Sequence, residues 1–319
     1  TNTANDNTAV GYEALKLNTT GTRNSSFGRN ALEANTTGGN NTAMGTNALL
    51  LNTTASDNTA FGADSLSSNT TGHSNVAIGH CALYTNTEGD TNTAVGHHAL
   101  KLNTTAADNT GIGRNALCST TTGCTNTALG SSAMQVNSTG DSNVAIGGST
   151  LFNNTTADNN TAVGTTAMVA NTTGTNNTAV GKDALCANTT GVQNTAVGVC
   201  SMITTNTGGD SNSAFGMFSL KETTTGDNNT AIGYQAGCTL TTGSNNVMIG
   251  NVAGTSTLSI ATTTTESNRI ILGNSNSTHA YIKIDWTIGS DQRDKMNFVQ
   301  IPHGLDFVNQ LNPVEYNFK

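Results

Sequence analysis

Few residues in this 319-residue chain have the type and spacing to do chemistry. His80 and His97 stand 17 residues apart, and His98 follows directly. Imidazoles at one position of a repeat would stack, and such a stack can hold a metal ion. Aspartates just before a recurring motif (Asp6, Asp57, Asp90, Asp108, Asp141, Asp158, Asp210, Asp227) raise calcium. The nonapeptide pattern of calcium-binding rolls is absent, however, and Asp is ordinary turn chemistry. Six cysteines (Cys81, Cys118, Cys124, Cys186, Cys200, Cys238) share no spacing and form no CxxC pair. This argues against zinc or a disulfide framework, although Cys118 and Cys124 are close enough to pair across one turn. Small buried thiols are the favoured reading. Asn-x-Thr sequons such as Asn18, Asn35 and Asn171 matter only in a eukaryotic secretory setting, and an Asn/Thr-rich repeat produces them anyway. The histidines are expected on a polar outer face, and no metal and no cofactor is expected.

What positions these residues is a period. The motif Asn-Thr-Ala-(Val/Ile/Phe)-Gly starts at Asn7 and recurs at 24, 41, 58, 75, 92, 109, 126, 143, 160, 177, 194, 212, 229 and 246. Every step is 17 residues except Asn194 to Asn212, which is 18 and implies an insertion near Thr204–Gly209. Within a unit, a small residue (Ala9, Ala43, Ala60) is flanked by Thr, Ser or Val and by an apolar residue (Val10, Met44, Phe61). That alternation predicts a strand. The closing glycine, from Gly11 to Gly250, is present in every copy and predicts a corner with positive φ or a close backbone approach. Ala-Leu or a variant follows (Ala14-Leu15, Ala31-Leu32, Ser65-Leu66, Ala133-Met134) and predicts a second short strand. Asn-Thr-Thr-Gly or its Ala variant (Asn18 to Gly21, Asn171 to Gly174) predicts a second corner.

One unit cannot bury its own apolar face, whereas units stacked at ~4.8 Å can. The fold class expected over residues 1–254 is therefore all-β, a 17-residue-repeat β-roll or β-solenoid about 70 Å long. Its asparagine columns should bond amide to amide from rung to rung. A rung carries about two large apolar side chains, thin for a free-standing solenoid. A parallel homotrimer is expected, with the alanines permitting close packing of neighbouring chains; the alternative is a monomeric solenoid.

Composition agrees. Hydrophobic residues make up 34% and aromatics 4%, too little for two globular cores, while 10% charged residues is too few for a charge-rich disordered chain. The net charge of -8 and the lack of a basic stripe exclude nucleic acid as a partner. No run approaches the ~18 apolar residues of a membrane span, and no signal peptide is visible. The chain begins mid-pattern at Thr1 and stops abruptly at Lys319, which reads as a fragment.

After Gly254 the pattern fades. Ala236-Gly237 and Ala253-Gly254 already replace Ala-Leu, and a Thr-rich connector runs from Ala261 to Ser267. Residues 255–289 read as connector and terminal strands: Ile270–Leu272 before Gly273-Asn274, then an alternating run from Tyr281 to Trp286. Beyond them Leu305, Val308 and Leu311 have helical spacing that Asn312-Pro313 ends, and Val314, Tyr316 and Phe318 alternate. This predicts the start of a small, truncated α+β segment.

Two resemblances follow from particular residues. Asn75-Val-Ala-Ile-Gly79 and Asn143-Val-Ala-Ile-Gly147 resemble the head repeats of trimeric autotransporter adhesins, which form β-rolls in trimers, though the period here is longer. Ser290-Asp-Gln-Arg-Asp-Lys295, Gly304-Leu-Asp-Phe-Val-Asn-Gln-Leu311 and Asn312-Pro-Val-Glu-Tyr316 resemble the intramolecular chaperone domain of peptidase family S74. That family trimerises the β-structured stalk before it and then cuts itself off by a Ser-Lys dyad. The resemblance implies residues 290–319 as the start of such a domain, Ser290 as nucleophile and Lys295 as base, with cleavage beside Ser290. A lysine serves so only when desolvation supplies a neutral amine, and Asp294, if paired with Lys295, would oppose that. The competing reading of Ser290-Asp291 is a helix cap or turn. Because the chain runs unbroken through residue 290, it is expected uncleaved.

The function expected is a structural fibre or appendage for surface display or host attachment, extracellular or on a virion surface, trimerised by a C-terminal chaperone. Its partners are itself and a cell-surface receptor or glycan. The alternative is a monomeric solenoid that binds ice or glycan through a Thr/Asn ladder; regular Thr-x-Thr spacing is missing and the Thr-Thr pairs fall in turns.

Overall fold

The computed structural model describes residues 4–204, 208–255 and 263–279. The chain divides into two compact units, Thr1–Ser277 and Thr278–Lys319. Ser290, Lys295 and the strands and helix expected beyond residue 280 lie outside the described residues, as does the core of the insertion at 205–207.

The first unit is an all-β parallel β-solenoid. Sixteen three-residue strands, from β1 (Thr8–Val10) to β15 (Val247–Ile249) and β16 (Ile270–Leu272), form one sheet in sequence order. There is no helix among the described residues. Pairing is in register with the repeat, Thr161 on Thr178, Ala162 on Ala179, Val163 on Val180, so every sequence column becomes a column in space. The 18-residue step leaves the register intact, with Thr195 on Ser213. After Gly254 the sheet gains one more strand at a longer step in sequence: Val247 pairs with Ile270, and Thr263 and Ile271 are buried.

Two expectations are corrected. The Ala-Leu segment is a turn rather than a second strand. Its leucine sits in left-handed backbone conformation at rung after rung, with φ of 51° at Leu32, 50° at Leu100 and 47° at Met134. That conformation costs a side-chain-bearing residue about 1–2 kcal/mol. Complete burial of the leucine stabilises by about 1.5–3 kcal/mol, and the Leu100 amide also donates to the Ala116 carbonyl at 2.9 Å, so the turn wins.

The second correction concerns the alanines, expected to permit close packing of neighbouring chains. The small residue points inward (Ala43, Ala60 and Ala77 are fully buried) and the large one outward, with Phe61 55% exposed. The coil is too narrow for two bulky columns. Its largest buried side chains form a single file of Leu32, Leu49, Leu66, Leu83, Leu100, Leu117, Met134, Leu151, Met168, Leu185, Met202 and Leu220, and the alanines pack opposite them. The alanines thus line the chain's own interior rather than a contact between chains.

The exceptions fit the same constraint. Where the file would continue, the chain has Gly237 and Gly254, and the inward strand residue becomes Met248. The Met248 Sδ lies 2.9 Å from where a Gly237 Cβ would be and 2.8 Å from that of Gly254. One methionine on the sheet replaces two leucines on the turns.

The expected asparagine ladders are present, and there are two, both inside the coil. In the motif column the Oδ1 of each Asn accepts the next rung's Asn amide (Asn24 to Asn7, 2.8 Å), while its Nδ2 donates to a corner carbonyl (Asn24 to Gly38, 2.9 Å). In the second column Nδ2 donates to the preceding Oδ1 and to the carbonyl three residues on, as Asn86 does to Asn69 (2.8 Å) and Gly89 (2.9 Å). These amides satisfy buried backbone groups that the short strands cannot reach. The second ladder breaks at Thr120, leaving Asn103 Oδ1 and Thr120 Oγ1 buried without partners.

The motif glycine is required for the reason the sequence suggested. Gly113 has φ +135°, and a Cβ there would stand 2.4 Å from the Gly130 carbonyl oxygen of the next rung. At the second corner the glycine has no such φ, and Ala55, Ala106 and Ala157 take its place.

Candidate functional site

With the interior filled by leucine, alanine and asparagine, function must reside on the outer columns. The outward third residue of each strand forms one unbroken apolar stripe along the sheet. Its members include Phe27, Phe61, Ile78, Ile112, Leu129, Ile146, Phe215 and Ile249, between 37% and 55% exposed. The outward first residue, usually Thr, runs beside it and is half-buried. The alternation announced two faces without saying which is outward; the single leucine column that fills the coil decides it.

The second outer feature is the histidine patch. His80 and His97 occupy the same column on successive rungs, two residues past the stripe, and stack with centroids 5.4 Å apart and an interplanar angle of 15°. The His98 ring lies 3.7 Å from His97 and 5.9 Å from His80. His98 sits at φ 59° and its amide donates to the His80 carbonyl at 3.1 Å, which fixes how the two rungs face each other. Ring nitrogens of all three lie within 4.8 Å of one another. Burial, then His97, Lys101 and His80, depress the His98 pKa and favour its neutral form. Asp64 and Cys81, in the same corner column as His98, also come within 4.8 Å of His80, with Cys81 Sγ 3.7 Å from His80 Nε2. Burial and then Asp64 push the Cys81 thiol up, away from the thiolate. The 17-residue spacing announced the histidine stack; the approach of Asp64 and Cys81 depends on the left-handed corner at 64, 81 and 98 and was not expected.

The aspartates raised for calcium separate into two corner columns. Asp57 and Asp108 hold left-handed φ of 63° and 59°. Asp90, Asp141, Asp158, Asp210 and Asp227 accept a backbone amide from the rung before, as Asp90 Oδ1 does from His73 at 2.6 Å and Asp141 from Cys124 at 2.6 Å. All six cysteines are free and half-buried, more open than the buried thiols expected. Among the sequons, Asn35 and Asn171 are ladder residues with no exposed surface, so their amides are not glycan acceptors in the folded coil. No described helix is long and apolar enough to cross a membrane.

Ser290 and Lys295, the implied dyad, lie outside the described residues. No curated protein and no solved structure matches the chain. Residues 290–319 match the model of the peptidase S74 family, described as the chaperone of endosialidase.

Proposed function

We propose that this chain is the shaft of a tail-fibre-like appendage, assembled from parallel copies of itself through the apolar stripe and carried outside the cell or on a virion surface. The stripe carries the reading. Sixteen outward apolar residues follow one another along one sheet face, a contiguous exposed apolar surface of the kind that marks an interaction site. A parallel copy in register would meet the same residue at every rung. The S74-type segment supports self-association, since that family trimerises the stalks it follows, and a homotrimer is the state proposed. A receptor or glycan would then be met on the columns the stripe leaves free.

The test is Ile112→Glu with Ile146→Glu in the full chain. Both side chains point outward, so the coil should keep its β circular dichroism while the assembly falls to a monomer. An unchanged particle mass would refute the stripe as the interface.

The self-cleavage implied at the other end belongs to the same proposal, with the Ser290 hydroxyl as nucleophile and a neutral Lys295 as base. Intact mass with the complete C-terminal domain present tests it: cleavage in the parent and none in Ser290→Ala is expected, and an uncleaved parent would refute it.

Ice binding is the second reading, favoured by one observation: the Thr column and the apolar column lie side by side on one sheet face. The asparagine half of that alternative fails, because both Asn ladders are inside the coil. Thermal hysteresis from a monomeric species would favour this reading over the fibre.

A further inference from the structure

We propose that His80, His97 and His98 form a binding site for one borderline divalent transition-metal ion, with zinc as the type, clamping two successive rungs. Imidazole nitrogens suit zinc, copper and nickel, whereas calcium and magnesium want oxygen donors. Two features of the fold build the site. In-register stacking puts His80 and His97 in one column, and the left-handed corner at His98 turns a third ring toward them. Metal–nitrogen bonds of ~2.0–2.1 Å place two donors at most about 4.2 Å apart on the ion. The present separations, within 4.8 Å, need only small χ rotations of side chains that are free to make them, as His80 and His97 are exposed. Asp64 or Cys81 is placed to supply a fourth donor through its closeness to His80. A water can fill that position instead. The ion would hold the rungs of residues 80 and 97 together without touching the interior.

The proposal is independent of the fibre reading, since it uses neither the stripe nor the C-terminal segment. The test is isothermal titration of the full, untagged chain with zinc chloride, with magnesium chloride as control. One zinc per chain and no magnesium heat are expected. The variant is His80→Ala, His97→Ala and His98→Asn together. The first follows Ala63 in its own column, and the last keeps a residue suited to the left-handed corner, as Asn115 is one rung on. Loss of the ligands should weaken zinc by more than the roughly 10–100-fold that removal of an outer-shell partner costs. It should also abolish the rise in thermal midpoint that zinc gives the parent chain, with the metal-free midpoints equal. Zinc binding that survives in the variant, or a parent chain that takes up no zinc, would overturn the proposal. Cys81→Ser tests the thiol as fourth donor: weaker zinc binding assigns the position to Cys81, and unchanged affinity assigns it to Asp64 or water within the same site.

Discussion

The break in the second asparagine ladder makes the energetics of the coil measurable. At Thr120 the column loses its amide, so Asn103 Oδ1 and Thr120 Oγ1 are buried and unpaired. Thr120→Asn would restore three contacts already made on neighbouring rungs. The new Nδ2 would donate to Asn103 Oδ1 and to the Gly123 carbonyl, as Asn86 does to Asn69 (2.8 Å) and Gly89 (2.9 Å). The new Oδ1 would accept from Asn137 Nδ2, as Asn137 Oδ1 does from Asn154 (2.8 Å). At about 0.5–1.5 kcal/mol net per bond, the gain is about 1.5–4.5 kcal/mol. Loss of the threonine methyl offsets about 0.8 kcal/mol of that. The expected stabilisation is therefore about 0.7–3.7 kcal/mol. In a stacked repeat it acts mainly on the rungs that share the new bonds. Native-state hydrogen exchange is the assay: amides that open with the rungs between Asn103 and Asn137 should exchange about threefold to a few hundredfold more slowly, at tenfold per 1.4 kcal/mol. Thr120→Val is the control. It also removes the unpaired hydroxyl but forms no bond between rungs and leaves Asn103 unpaired, so the slowing in Thr120→Asn beyond that in Thr120→Val belongs to the new amide bonds. Exchange unaltered in Thr120→Asn, or faster, would refute the claim that the side-chain amides hold the rungs together.

Other consequences follow from the same columns. Gly113→Ala should destabilise by about 3 kcal/mol or more, seen as a lower urea midpoint, because it combines a left-handed backbone with a Cβ 2.4 Å from a carbonyl that cannot move alone. Met248→Ala should cost about 2–5 kcal/mol by opening a cavity, and Gly237→Leu alone should also destabilise because its Cβ would meet Met248. Together the two exchange the methionine for one of the two leucines it replaces, so a double-mutant cycle should show favourable coupling; additive losses would contradict the compensation.

Much of the fold is legible in the sequence because each column states its own constraint. The Asn column predicts a ladder, and the ladder is there at Asn24, Asn41 and Asn58. The motif glycine predicts a corner with positive φ, as found at Gly113. Alternation at Ala60-Phe61 shows that the two residues face opposite sides, but it cannot say which side is inside. That is decided by the width of the coil, which one leucine column already fills. The turn at Leu100 was hidden for a different reason: left-handed leucine is disfavoured locally, and only burial reached through the stack reverses the preference. At the histidine patch the spacing gave the stack, while Asp64 and Cys81 join it through backbone geometry that no single rung encodes.

The sedimentation-equilibrium mass of the full chain bears most directly on the fibre. Three copies, falling to one when charges are placed on the stripe at Ile112 and Ile146, is the result this account predicts. A species of 32.5 kDa at micromolar concentration would contradict it and leave a solenoid whose apolar stripe faces something other than itself.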